Sequence, residues 1–160
     1  MSRYAQQGFT LLELVVVIVI VGLLAAVALP RLMSAAGDAQ AASVNGTAGA
    51  LAAGVAMVRA QWELNRASGR GGLNNVAGFG DGDVDVNELG WPMATASGPG
   101  AQGCAELWRG VLLGSAPSVA VRGSAAYLSE FAAPLCRYRY QSDTRRIEYD
   151  TRTGAVTVAE

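Results

Sequence analysis

Histidine and lysine are absent from this chain of 160 residues, and cysteine occurs only twice. Without histidine, the chain lacks the residue that most often acts as a general base and as a metal ligand. The remaining residues show no pairing of a nucleophile with a base and no catalytic metal centre. We therefore predict that the protein is not an enzyme.

A large excess of charge is also absent. The 12 basic residues, all arginine, face 13 acidic residues, which leaves a net charge of −1. A chain so nearly neutral is not expected to bind nucleic acid or an anionic surface.

What the chain does contain is a membrane-length apolar run near its start. The run extends over 21 residues, from Phe9 to Leu29, and Glu13 is its only ionisable residue. About 20 apolar residues are enough for one transmembrane helix. Because a carboxylate costs about 2.5–3.5 kcal/mol at the centre of a bilayer and less near the interface, we predict that Glu13 has a partner.

The segment before this run does not fit an ordinary secretory signal, because the run is too long and no cleavage pattern follows it. Arg3 in this polar leader predicts that the N-terminal end stays in the cytoplasm and that the rest crosses the membrane. In an oxidising compartment, Cys104 and Cys136 are predicted to form a disulfide, the alternative being two buried thiols.

The sequence GFTLLEL, which begins at Gly8, resembles the class III leader of type IV pilins and pseudopilins. The resemblance implies that a prepilin peptidase cuts between Gly8 and Phe9 and methylates the new N-terminal residue, Phe9. Glu13 then matches the glutamate of the family. Gly22 and Pro30 match common family positions in a stretch that can lose helicity when subunits pack into a filament.

The implied cut gives Glu13 a partner, the amine of Phe9 in a neighbouring subunit. Pairing the two avoids two unpaired buried charges and sets the axial register of assembly. The alternative is that the Glu13 side chain only reaches to the membrane interface. Because glycine and proline weaken a helix, the segment from Gly22 to Pro30 is the candidate flexible segment, with a simple kink as the alternative.

After Pro30 the helix is predicted to resume and to end near Asn65. Apolar residues recur there at spacings of three and four, which indicates one buried helical face. They are Val44, Ala48, Leu51, Val55, Val58 and Trp62. The predicted organisation is a leader (1–8), a transmembrane and polymerisation helix (9–29), an amphipathic half of the same helix (30–65) and a globular head (66–160).

The head is predicted to combine an irregular loop over 67–103, a short helix over 105–113 and three strands. The strands, 137–140, 146–149 and 155–158, show alternating patterns separated by turn residues and form an antiparallel meander. The predicted fold class is α+β, with a long N-terminal helix packed on a small antiparallel sheet. The resemblance implies the type IV pilin fold.

An acidic stretch in the loop places oxygen-bearing side chains at alternate positions. Asp81, Asp83 and Asp85 are its first three acids, and such side chains suit Ca²⁺. The spacing only partly follows an EF-hand loop, so the sequence leaves two interpretations, a calcium site and a solvated acidic loop. No other cofactor is predicted.

The second half of the chain resembles the mannose-sensitive haemagglutinin subgroup of type IV pilins. The resemblance lies mainly in CAELW from Cys104, CRYRY from Cys136 and IEYD from Ile147. It implies a pilus subunit for adhesion or surface attachment, which polymerises with its own copies and with other pilins. A minor pilin and a type II secretion pseudopilin remain as alternatives.

The same resemblance implies where the protein is found and which proteins handle it. The expected partners are the prepilin peptidase and an assembly platform in the inner membrane. Before assembly the chain is expected to cross the inner membrane once, with its head in the periplasm. After assembly it is expected in an extracellular pilus on the cell surface.

Overall fold

The computed structural model describes residues 9–160. Arg3, Gly8 and the rest of the predicted leader lie outside the described residues. The chain divides into two units, one that ends at Ala39 and one that runs from Gln40 to Glu160. The predicted α+β class, with a long N-terminal helix and a small antiparallel sheet, is confirmed.

The helix α1, Leu11–Ala67, contains 57 residues. It begins after Thr10, whose Oγ1 accepts a hydrogen bond of 3.2 Å from the Glu13 N–H, as an N-cap residue does. It continues without a break through Gly22 and Pro30. Among residues 9–160, α1 alone is long and apolar enough to cross a membrane, judged by its length and composition.

A short hairpin lies within the segment that was predicted to be irregular. Strand β1, Asp85–Val86, pairs antiparallel with strand β2, Pro92–Ala94. The prediction of an irregular loop is therefore wrong for this part. Val84 and Val86 are buried and alternate with acidic residues, so the acidic spacing is also the period-two pattern of a strand.

The second helix also begins earlier than predicted. Helix α2, Ala101–Leu112, includes Cys104 in its first turn, and a 3-10 turn, Leu113–Ser115, follows it. Cys104 belongs to the buried face of α2 because it lies four residues before the buried Trp108. The helix thus reaches back by one turn beyond the predicted start at 105.

The main sheet has five strands in the order β3-β4-β5-β6-β7. The predicted meander of three strands is present as the last three strands, and β3 and β4 precede it. Neighbours pair antiparallel except β3 and β4, which are parallel. The strands are β3 Val119–Ala120, β4 Tyr127–Ala132, β5 Leu135–Tyr140, β6 Arg146–Asp150 and β7 Val156–Ala159.

The six residues of the predicted apolar stripe on α1 are all buried in one hydrophobic core with α2 and the sheet. Trp108 of α2 lies among aromatic rings, with ring centroids 4.8 Å from Tyr127 and 4.5 Å from Tyr138. Gly54 of α1 faces Val111 of α2, where an added Cβ would lie 2.6 Å from Val111 Cγ1. The two helices therefore approach too closely for a larger residue at Gly54 without a shift.

A disulfide joins Cys104 of α2 to Cys136 of β5, with a Cα–Cα distance of 5.5 Å. The Tyr138 hydroxyl donates a hydrogen bond of 2.8 Å to the Cys104 carbonyl. Helix and sheet are thus linked both covalently and by a buried hydrogen bond. The predicted disulfide is present in the structure.

The outward face of the sheet carries a ladder of alternating charges. Glu148 Oε1 lies 3.0 Å from Arg137 Nε and 2.9 Å from Arg146 Nε. Next to them, Arg139 Nε lies 3.4 Å from Glu130 Oε1. Because the strands alternate inward and outward side chains, this charged ladder lies opposite the tyrosines and Ile147 that enter the core.

Candidate assembly surface and supporting loops

The first half of α1 exposes a continuous apolar surface. No part of its most apolar window is buried, and Leu11 and Leu23 are 80% and 67% exposed. Nothing among residues 9–160 covers these side chains. Because burial of apolar surface is favourable by roughly 25 cal/mol per Å², this surface can be buried by lipid or by other helices.

Glu13 lies in the first turn of α1, close to the exposed Phe9. Its backbone N–H is held by Thr10, and its carboxylate makes no hydrogen bond or ion pair with any residue in the 9–160 range. The carboxylate therefore has no partner among the described residues of the single chain. Its pairing with Phe9 of another subunit, and the cut between Gly8 and Phe9, stay predictions.

Gly22 and Pro30 are both helical in the structure. A Cβ added to Gly22 would meet nothing within 4 Å, so close packing inside this chain does not explain the glycine. Proline inside a helix removes one backbone hydrogen bond. The loss of helicity expected between these residues on assembly stays a prediction.

The three aspartates of the acidic stretch are not brought together as a metal site. The Asp85 carboxylate instead accepts a hydrogen bond of 2.9 Å from the Asn75 N–H. Asp81 and Asp83 line an open cavity of about 580 Å³. Among residues 9–160, no group of three or more His, Cys, Asp or Glu side chains is placed to hold a metal ion. Asp85 belongs to strand β1, so the three aspartates do not lie in one loop as the ligands of a calcium loop do.

Glu106 on α2 is a structural carboxylate that sequence reasoning missed. It accepts hydrogen bonds from the Ser97 N–H at 2.8 Å and from the Ser97 hydroxyl at 2.7 Å. The Ala96 N–H, the Thr95 hydroxyl and the Gln102 amide donate three more. One side chain thus fixes the segment 95–97 to α2.

These bonds change the acidity of Glu106. Burial raises the pKa of this carboxyl, but the hydrogen bonds from Ser97, Gln102 and Ala96 together outweigh it and lower the pKa from 4.5 to about 2. Hydrogen bonds to the charged form of an acid favour that form. The ionised carboxylate is therefore the form that holds the loop.

Glu106→Gln is expected to lower the free energy of unfolding at pH 6 but to have a much smaller effect near pH 2. Because the folded-state pKa is depressed, the stabilisation is present above pH 4.5 and is lost as the pH falls through about 2. Denaturant unfolding of the full chain in detergent at several pH values measures this. An equal loss at every pH would contradict the charge argument.

The loop 87–91 connects α1 to the turn between β6 and β7. Asn87 Nδ2 donates a hydrogen bond of 2.8 Å to the Thr151 carbonyl. Gly90 lies against the ring of Trp62, and Gly154 lies against the ring of Trp91. Each ring thus lies directly against backbone, where a side chain would not fit.

Comparison with known protein families identifies a motif in the N-terminal segment. A protein-family profile described as "Prokaryotic N-terminal methylation motif" matches residues 3–29. The match includes Gly8, Phe9 and Glu13 and ends at the last residue of the predicted membrane segment. The chain therefore carries this methylation motif.

Two curated relatives match over a longer stretch. The type II secretion system core protein G of Pseudomonas aeruginosa is 42% identical over 59 residues, which are 37% of this chain and 42% of the relative. The type IV narrow pilus major component PilA5 of Thermus thermophilus is 44% identical over 55 residues, which are 34% of this chain and 47% of the relative. The matches thus cover less than half of either relative.

No solved structure matches the chain significantly. Both relatives are described as parts of assemblies, a pilus component and a core protein of a secretion system. This agrees with the prediction of a structural subunit that is not an enzyme. The assignment to the mannose-sensitive haemagglutinin subgroup rests on the resemblance alone.

Proposed function

We propose that this chain is a structural subunit of a type IV pilus that polymerises through α1. The observation that carries the proposal is the first half of α1. It is a membrane-length helix in which no part of the apolar window is buried, and it has one acid, Glu13, near its start. The matched methylation motif covers the same residues. Such a helix serves first as a membrane anchor and then as the contact between subunits.

The proposed contact joins different surfaces of successive subunits. Glu13 of one subunit faces the amine of Phe9 in another, so the interface is heterologous, and heterologous contacts that do not close into a ring give open filaments. The disulfide-bonded head is then carried on the outside. Prepilin peptidase, other pilins and an assembly platform in the inner membrane are the proposed partners.

For the filament itself, we propose a surface pilus of the mannose-sensitive haemagglutinin kind, used for attachment. The support for this finer assignment is the likeness of the segments that begin at Cys104, Cys136 and Ile147. In the head these segments contribute the buried Trp108, Tyr138 and Tyr149. The likeness therefore lies at residues of the hydrophobic core, and it supports a head of the same fold as in the subgroup.

A second candidate function is a pseudopilin of a type II secretion system. The likeness to a type II secretion core protein favours it, and a minor pilin is a related alternative. The anchor and Glu13 would serve in the same way in each. The candidates differ in where the polymer is found, at the cell surface or within the cell envelope.

Intact-mass spectrometry of material sheared from the cell surface tests the proposal. The expected mass lacks residues 1–8, gains one methyl group and lacks two hydrogens because of the disulfide. Abundant chain of this mass in the sheared fraction supports a pilus subunit. The same mass found only in membranes would favour a pseudopilin or a minor pilin.

Gly8→Ala is the matched variant for this experiment. It is expected to block removal of the leader, because the peptidase is proposed to recognise the glycine at the cut. A chain of mature mass in this variant would contradict the assigned cut between Gly8 and Phe9.

A further inference from the structure

Charge is nearly absent from the middle of α1. Between Glu13 and Arg59 the helix contains only two charged residues, Arg31 and Asp38. Both are exposed, and neither side chain has a hydrogen bond or ion pair within the part of the chain that the structure describes. Their neighbours Leu32 and Met33 are 65% and 77% exposed, so both charges lie on a largely apolar helix surface.

The spacing of the two charges is specific. Arg31 and Asp38 are seven residues apart, which is close to two helical turns and about 10.5 Å along the axis. They therefore share one face of α1, to within about 20°. The axial distance is too long for an ion pair within one helix, for which charged side chains three or four residues apart are needed.

We propose that Arg31 of one subunit pairs with Asp38 of the next, and that this pair sets the axial stagger of parallel subunits at seven residues. The inference rests on the proposed polymerisation and names its register. Because both charges lie on the same face of α1, they can meet only if the subunits turn this face towards a shared axis. The partner of this surface is therefore a second copy of the same chain.

The same stagger brings the other predicted pair together. Shifted by seven positions, Glu13 of the neighbour lies three positions before Phe9, which is about 4.5 Å along the axis. This is within reach of a glutamate side chain and the freed amine. Glu13 and Arg31 are also 18 residues apart, about five full turns, so the three charges form one line on the helix.

Apolar surroundings make the register selective. A slip of one helical turn to a longer stagger would separate both pairs along the axis, among Leu, Val, Ala and Met side chains. A slip of one turn to a shorter stagger would separate Arg31 from Asp38 by about 6 Å. An unpaired charge in such an interface is far more costly than a pair. The apolar surface by itself has no preferred register along the axis, so the charges supply it.

A charge swap in the full-length chain tests the pair. Arg31→Asp and Asp38→Arg, each alone, place like charges together and are expected to lower the filament yield about tenfold or more. The double swap, Arg31→Asp with Asp38→Arg, restores opposite charges and is expected to recover most of the yield. In all three variants, the intact mass should show normal leader removal, and membrane fractionation should show normal insertion.

The matched control is Glu88→Arg, a charge reversal at an exposed residue of the head, outside α1. It is expected to leave the yield near that of wild type. A double swap no better than the single variants, or single variants with normal yield, would overturn the proposed pair. If the wild-type chain itself forms no filaments, the proposed function fails, which is a different result.

Cross-linking provides a second measurement, with both charges kept in place. Val27→Cys with Ser34→Cys puts two thiols seven residues apart, each about one turn before a member of the pair. Oxidised filaments of this variant should give a ladder of disulfide-linked multimers, since each chain links to two neighbours. The native cysteines are already joined to each other. Val27→Cys with Leu32→Cys places the second thiol on another face of the helix and should give no ladder. A ladder from the control pair, or filaments of the test pair without one, would contradict the stagger.

Discussion

Glu13→Ala is expected to leave the chain cut and inserted in the membrane while filament yield falls to a few per cent of wild type or less. The variant would leave the amine of Phe9 buried without its partner. Removing one partner of a buried ion pair costs about 3–5 kcal/mol, which is roughly a hundredfold or more in a subunit's affinity for the growing end. Quantifying sheared filaments against total processed chain measures the effect.

A second variant separates the effect of the Glu13 charge from the effect of the size of its side chain. Glu13→Gln keeps nearly the same size but has no charge, so it should assemble almost as poorly as the alanine variant. Glu63→Ala, a change at an exposed carboxylate in the second half of α1, should assemble normally. Normal filament yield from Glu13→Ala would refute the pairing between subunits.

Gly90→Ala is expected to lower the free energy of unfolding of the head by about 3 kcal/mol, from backbone strain and overpacking together. Gly90 has a φ of +81°, and an added Cβ would lie 2.4 Å from the ring of Trp62. Trp62 cannot easily move, because it is buried and its indole N–H donates a hydrogen bond of 3.0 Å to the Gly72 carbonyl.

Gly82→Ala is the matched control for this prediction. Gly82 has a similar φ of +75°, but an added Cβ would meet nothing within 4 Å. It should therefore cost only the backbone strain, about 1 kcal/mol. Thermal unfolding of the full chain in detergent, followed by near-ultraviolet circular dichroism, compares the two. Equal losses would contradict the contact with Trp62 as the larger cause.

The elements that could be predicted from the sequence are those with one dominant period. The stripe from Val44 to Trp62 keeps its helical spacing over five turns, and every member is buried. Strand β4 could not be found in this way. It places a serine, Ser129, in the interior, where its hydroxyl donates to the Ala101 carbonyl, and this polar residue breaks the alternation that would indicate a strand.

The functional and structural carboxylates likewise include some that the sequence reveals and some that it does not. Glu13 is visible because a charge in an apolar run contrasts with its neighbours in sequence. Glu106 is not visible, because its partners from Thr95 to Ser97 become donors only once the loop folds back on α2. The acidic stretch is ambiguous in sequence for a related reason, since the side chains of Asp81, Asp83 and Asp85 share a spacing but not a common centre.

The charged ladder on the outward face of the sheet disfavours aggregation between the heads of neighbouring subunits. Glu148 lies within ion-pair distance of both Arg137 and Arg146, so a second sheet laid on this face would strip water from existing ion pairs. In the proposed filament, this face of the head would therefore gain little from contact with a neighbouring sheet.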